Sequence, residues 1–190
     1  MSVIVIQPTS TALWHQLVLE AEQLSHSRLD TDTESYLVFM LMRYLGKPEM
    51  TSKVVAMDYL NGLLSSGDVR DDKLRDVGDT CLLFSGLFPL RAQRRRVKIS
   101  YYVDMGRSAY LQLSDHHGNS LSRLYLQLSE DFVTMMDILH AIRAMGHQQP
   151  LGDALTAAEL WHDTGSHSAY RSVIAHTGAM PGTISTQKTH

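Results

Sequence analysis

Residues 79–110 read DTCLLFSGLFPLRAQRRRVKISYYVDMGRSAY. Apolar and aromatic side chains flank a single elbow, in which five cations fill eight positions: Arg91, Arg94, Arg95, Arg96 and Lys98. Ahead of the elbow, Leu74, Val77, Cys81, Phe84 and Phe88 recur every three or four residues, the period of one helix face. Beyond it the pattern predicts a second helix over 101–113, capped by Ser100. Pro89 disfavours helical geometry at Phe88 and can itself open a short piece over 89–96. Two rods folding back on each other are therefore expected. Small residues (Gly78, Cys81 and Ser85 on one, Gly106 and Ala109 on the other) would let their backbones approach closer than the usual 8–10 Å or so, with Tyr102 and Tyr110 filling the margins. A glycine inside a helix costs about 0.5–1 kcal/mol against alanine, and close packing is the favoured reason for it.

Working outward, the pattern is helical nearly throughout. A first helix, capped by Ser10 or Thr11, turns Trp14, Leu17, Val18, Ala21 and Leu24 inward. A second opens within 30–32, runs to Leu45 and ends at Gly46 and Pro48. Over 36–45 only Arg43 is charged, so this helix should be central. A third, to about Ser65, presents Val55, Met57, Leu60, Leu63 and Leu64 as its inner line, and Gly67 closes it. The fourth starts near Asp71. The longest spans 119–145 along Leu121, Leu124, Leu128, Phe132, Met135, Leu139 and Ile142. Asp153 caps a shorter helix to about Asp163, and a last piece covers 166–175. The fold class expected is all-α: one domain over 1–176, a bundle of about seven helices, with a β-like arm at 3–6 and a loose tail over 177–190.

Composition points to an ordinary globular chain. It has 190 residues, 44% apolar and 19% charged, with a net charge of −3, so no global field draws in nucleic acid or anionic lipid. The lone cysteine, Cys81, cannot form an internal disulfide, and no apolar run approaches the roughly 20 residues that cross a bilayer. A cytoplasmic protein without a membrane span is expected.

Motifs for the large enzyme classes (G-x-S-x-G, Walker loop, G-x-G-x-x-G, C-x-x-C pairs) are absent, and no catalytic residue or cofactor is assigned. A ligand pocket between the two central rods would draw on Ser85, Tyr101, Tyr102, Asp104, Arg107 and Tyr110. Arg91, Arg94, Arg95, Arg96 and Lys98 could hold phosphates. A solvated turn paired with Asp71, Asp72, Asp76 or Asp79 is favoured, because stacking aromatics are not interleaved with the cations. Asp137/His140 and Glu159/His162 have the carboxylate–histidine spacing of di-iron bundles. Yet Asp137 and His140 lie off the apolar line of their helix and should point outward, and the pair His116-His117 sits in a turn, so no metal is expected. Cys81 reads as buried, and Met40, Met42, Met57, Met135 and Met136 as core fillers.

The run LFSGLFP at 83–89, the arginines after it and YYVDMGRSAY at 101–110 resemble the signature of an uncharacterised bacterial all-helical family with no assigned activity. The resemblance covers about thirty residues and implies a bacterial, cytosolic helical protein; it transfers no site residue. From the residues themselves, the expected function is non-enzymatic, through protein contacts as a homo-oligomeric adaptor or regulator. The apolar arm 3–6 has no strand partner in a helical chain and so would seek another copy. The interhelical pocket and the phosphate or nucleic-acid site are the alternatives, with nucleic acid disfavoured.

Overall fold

The computed structural model describes residues 9–45, 55–94, 96–115, 118, 120–146 and 151–178, with side chains for all of these except 45 and 91–93. Among them all regular structure is helical: nine helices of nine residues or more and one six-residue piece. They are α1 (Ser10–Ser25), α2 (Thr31–Leu45), α3 (Val55–Leu63), α4 (Gly67–Gly86), α5 (Pro89–Arg94), α6 (Ile99–Ser114), α7 (Ser120–Glu130), α8 (Phe132–Met145), α9 (Ala154–Thr164) and α10 (His167–Thr177). No described helix is long and apolar enough to cross a membrane. The arm at 3–6, Gly46, Pro48, Arg95, His116, His117 and the tail beyond 178 lie outside the described residues.

Several helix ends follow local chemistry. Thr9, one residue before the expected cap, accepts the Ala12 N–H at 3.2 Å. Asp30 accepts Thr33 N–H at 2.8 Å and Asp153 accepts Thr156 N–H at 2.9 Å, each occupying a donor that the first helical turn leaves open. Ser100 is not a cap: α6 starts at Ile99, and the Ser100 hydroxyl donates instead to Asp163 of α9 at 2.9 Å.

The helix count exceeds the seven or so expected partly because the long helix over 119–145 is two. Arg107 of α6 donates from Nε to the Ser129 carbonyl at 3.1 Å, and Ser129 Oγ returns a bond to the Arg107 carbonyl at 3.0 Å. A side chain from another helix thus takes a carbonyl of the i→i−4 ladder, and the rod breaks at Asp131 without proline or glycine.

The centre is α4, not α2. Every residue of 77–86 is buried, so the second half of α4 is covered all round, by α3, α6 and α8 among others. Helix α2 buries Leu37, Val38, Met40 and Leu41 but leaves Phe39 62% exposed. Glycines decide the difference. A Cβ at Gly78 would enter the Tyr110 ring, one at Gly106 would lie 2.5 Å from Phe132 Cζ and 2.9 Å from Cys81 Cβ, and one at Gly86 would lie 2.5 Å from Leu139 Cβ. The two rods do press together where bulk is missing, and the rings of Tyr110 and Phe132 fill that space.

Two helices turn differently from their patterns. On α1 the buried face is Val18, Ala21, Glu22 and Ser25, while Leu24 is exposed. Glu22 is tolerated there because its carboxylate accepts Leu29 N–H at 3.0 Å. On α3 the reversal is larger. Val55 is buried, and Gly62 lies against Leu74, where a Cβ would come within 3.0 Å of Leu74 Cδ2. Met57, Leu60 and Leu64 of the expected inner line face outward.

Candidate functional site

The first polar constellation is centred on Asp79, which is fully buried in α4. Tyr36 of α2 and Tyr110 of α6 both donate to its Oδ1, at 2.6 and 2.8 Å, and Arg43 of α2 forms an ion pair with Oδ2. Burial pushes the carboxyl above its ordinary range, against the pull of Arg43 and the two hydroxyls. Desolvation, with the neighbouring Asp79 charge, raises both tyrosines as well, so they stay neutral donors. The Arg43 guanidinium loses hydration through burial, but Asp79, Tyr36 and Asp76 together outweigh that loss and hold it charged. The arrangement joins three helices through one carboxylate. Its signal was in the sequence: Arg43 is the only charge over 36–45, and Asp79 stands at the head of an apolar run. A lone cation and a lone acid in two apolar helices call for each other.

The second joins α8, α10 and α4. Asp137 accepts from Ser166 Oγ at 2.5 Å, Ser168 Oγ at 2.8 Å and the His167 N–H at 2.9 Å, so a carboxylate sits at the positive end of α10. His140 Nδ1 lies 2.5 Å from Ser168 Oγ, and Nε2 lies 2.9 Å from the Ser85 carbonyl. A carbonyl only accepts, so Nε2 carries a hydrogen. Both residues are buried, which corrects the outward orientation expected of them. Their helix is covered by α1, α4 and α10, so the apolar line marks only part of its buried surface.

Burial alone would raise the Asp137 carboxyl, but hydrogen bonds from His140 and Ser166, the His140 charge and Ser168 outweigh it and hold it below the ordinary range. A folded-state value below the unfolded one gives stability that is complete above the unfolded pKa of about 3.9 and is lost as pH falls through the folded value. Asp79, raised on folding, has the opposite sign: its contribution is present below the unfolded value and lost as pH rises through the folded one. The difference in melting temperature between wild type and Asp137→Asn therefore cancels the Asp79 contribution and leaves that of Asp137 with its partners. It should be largest near neutrality, about 2 kcal/mol in stability, and shrink below about pH 4. A difference independent of pH would show that the charge is not what holds α10.

The di-iron reading needs Asp137/His140 level with Glu159/His162. Instead the first pair is buried under α10, while Glu159 lies beside Lys98, 3.9 Å away, and His162 is exposed. No group of three or more potential metal ligands occurs among the described residues. Cys81 is buried, and desolvation pushes its thiol far up, away from the thiolate a nucleophile needs.

The six residues expected around a pocket do not converge. Ser85 is buried and donates to the Cys81 and Leu82 carbonyls at 2.9 and 3.1 Å. Tyr102 is buried and stacks on Phe84, and Tyr110 serves Asp79. Tyr101, Asp104 and Arg107 are exposed, and Arg107 is spent on Ser129.

Arg94, Arg96 and Lys98 are exposed, and Arg96 has a left-handed backbone, φ +55°. Of the four acids expected to pair with the elbow, three have other partners: Asp71 with Arg70, Asp72 with Arg75 and Asp79 with Arg43. Arg96 and Lys98 instead line a cavity of about 370 Å³ between the start of α6 and α9, facing Glu159 and Asp163. A smaller cavity of about 130 Å³ lies between α3 and α4, lined by Asp58, Lys73, Asp76 and Thr80. No protein-family model, curated protein or solved structure matches this chain.

Proposed function

We propose that the protein acts through protein contacts, as a non-enzymatic adaptor or regulator, and that the outward face of α3 pairs with a second copy of the chain. The observation that supports this is the reversal of α3. Met57, Leu60 and Leu64, at spacings of three and four, form one apolar stripe that is 57%, 53% and 87% exposed. Scattered exposed apolar residues are ordinary, but a stripe along one helix marks a contact surface. A two-fold interface brings the same patch against itself, which requires tolerance of its own charges. Here the adjoining cavity holds both signs, Asp58 and Asp76 beside Lys73. The polar constellations at Asp79 and Asp137 agree with this reading, because their hydrogen bonds are used between helices. The lone cysteine, buried and reduced, fits a cytoplasmic setting.

Light scattering on the purified chain at about 50 µM should give a dimer, since a contact of this kind is populated by mass action. Leu60→Glu should give a monomer with an unchanged helical spectrum. A wild-type monomer at that concentration overturns the proposal, as does a dimer that Leu60→Glu leaves intact.

A further inference from the structure

From the cavity between the start of α6 and α9 we infer that it is a binding site for a small zwitterion with an apolar side chain, of the free amino acid type. Its volume of about 370 Å³ falls within the small-ligand range of about 300–1,000 Å³. One wall carries Arg96 and Lys98 and the opposite wall Glu159 and Asp163, so the charges lining it sum to zero. A phosphate would meet two carboxylates there, and a simple cation would meet two basic groups. A ligand bearing one charge of each sign satisfies both walls at once. Val97, Ile99 and Leu160 supply the apolar part of the lining, which an uncharged side chain can cover.

The existing pairing across the cavity is one that a ligand can displace. Lys98 Nζ and Glu159 Oε1 are 3.9 Å apart and both side chains are about half exposed or more, so their pairing is loose and contributes little to stability. An amino acid would replace this contact, its carboxylate taking Lys98 and its ammonium Glu159, once the two exposed side chains swing apart to admit it. Arg96 has no ion-pair partner among the described residues, and its left-handed backbone places it at the end of the turn just before α6. Ser100 already donates to Asp163 at 2.9 Å, which fixes that carboxylate's position on its wall.

The probes are L-leucine, N-acetyl-L-leucine (no ammonium), L-leucinamide (no carboxylate) and inorganic phosphate, titrated into the full chain and followed by amide chemical shifts. Leucine should bind at least about tenfold more tightly than either blocked form, and phosphate should not bind. Arg96→Gln should weaken leucine about tenfold and leave leucinamide unchanged, while Glu159→Gln should weaken leucine and leave N-acetyl-leucine unchanged. Both variants alter exposed side chains, and an unchanged melting temperature confirms that they fold. Equal affinity for the three leucine forms, no shift at about 10 mM leucine, or binding of phosphate in preference to leucine each overturns the inference. All of these readouts are independent of whether the α3 face self-associates.

Discussion

Asp79→Ala should lose about 3–5 kcal/mol of unfolding free energy, the range seen when one partner of a buried ion pair is removed. Alanine strands two buried tyrosine hydroxyls, on Tyr36 and Tyr110, that both donate to Oδ1, and leaves Arg43 without its counter-charge. Asparagine separates these contributions. Its side-chain oxygen can stand where Oδ1 stands and keep both hydroxyl bonds, while its NH2 faces the Arg43 guanidinium, donor against donor, so Asp79→Asn should lose the Arg43 pairing, about 1–3 kcal/mol. Urea denaturation followed by circular dichroism measures both. Asp79→Ala within about 1 kcal/mol of wild type would mean that the three helices are held by apolar contact alone.

Gly106→Leu should be comparably severe. The new Cβ would come within 2.9 Å of Cys81 Cβ and 2.5 Å of Phe132 Cζ, and both residues are fully buried with nowhere to withdraw. Overpacking of this kind costs about 3 kcal/mol, even after the gain of up to about 1 kcal/mol from removing a helical glycine. For a chain of this size, about 3 kcal/mol corresponds to a melting temperature lower by about 6–12 °C. Gly118→Ala is the control: nothing among the described residues lies within 4 Å of the added carbon, and its effect should stay within about 0.5 kcal/mol. Equal melting temperatures for Gly106→Leu and wild type would remove the close approach between α4 and α6.

The sequence made the helical class and the small-residue approach of α4 and α6 legible, because both rest on local periodicity and on glycines whose presence needs a reason. Caps at Asp30 and Asp153 were legible for the same cause: a carboxylate three residues before its backbone partner is a local fact. What escaped depends on distant chain. Periodicity shows that α3 has an apolar face, but the approach of Leu74 to Gly62 decides that the other face goes inward. The break at Asp131 comes from Arg107, more than twenty residues away. Asp137 and His140 looked peripheral because a single apolar line assumes one neighbour, and α8 has several. At the elbow, the cations were visible, but the acids facing them come from α9 and could not be assigned without the fold.

The interruption at Asp131 also sets how far a disturbance can spread. Helix α8 buries nine of its residues and α7 only three, Tyr125, Leu128 and Ser129. In an uninterrupted rod the exposed half would share the opening energy of the buried half. Cut by the Arg107 guanidinium, α7 can fray and re-form by itself, and its amides should exchange with solvent deuterium well before those of α8.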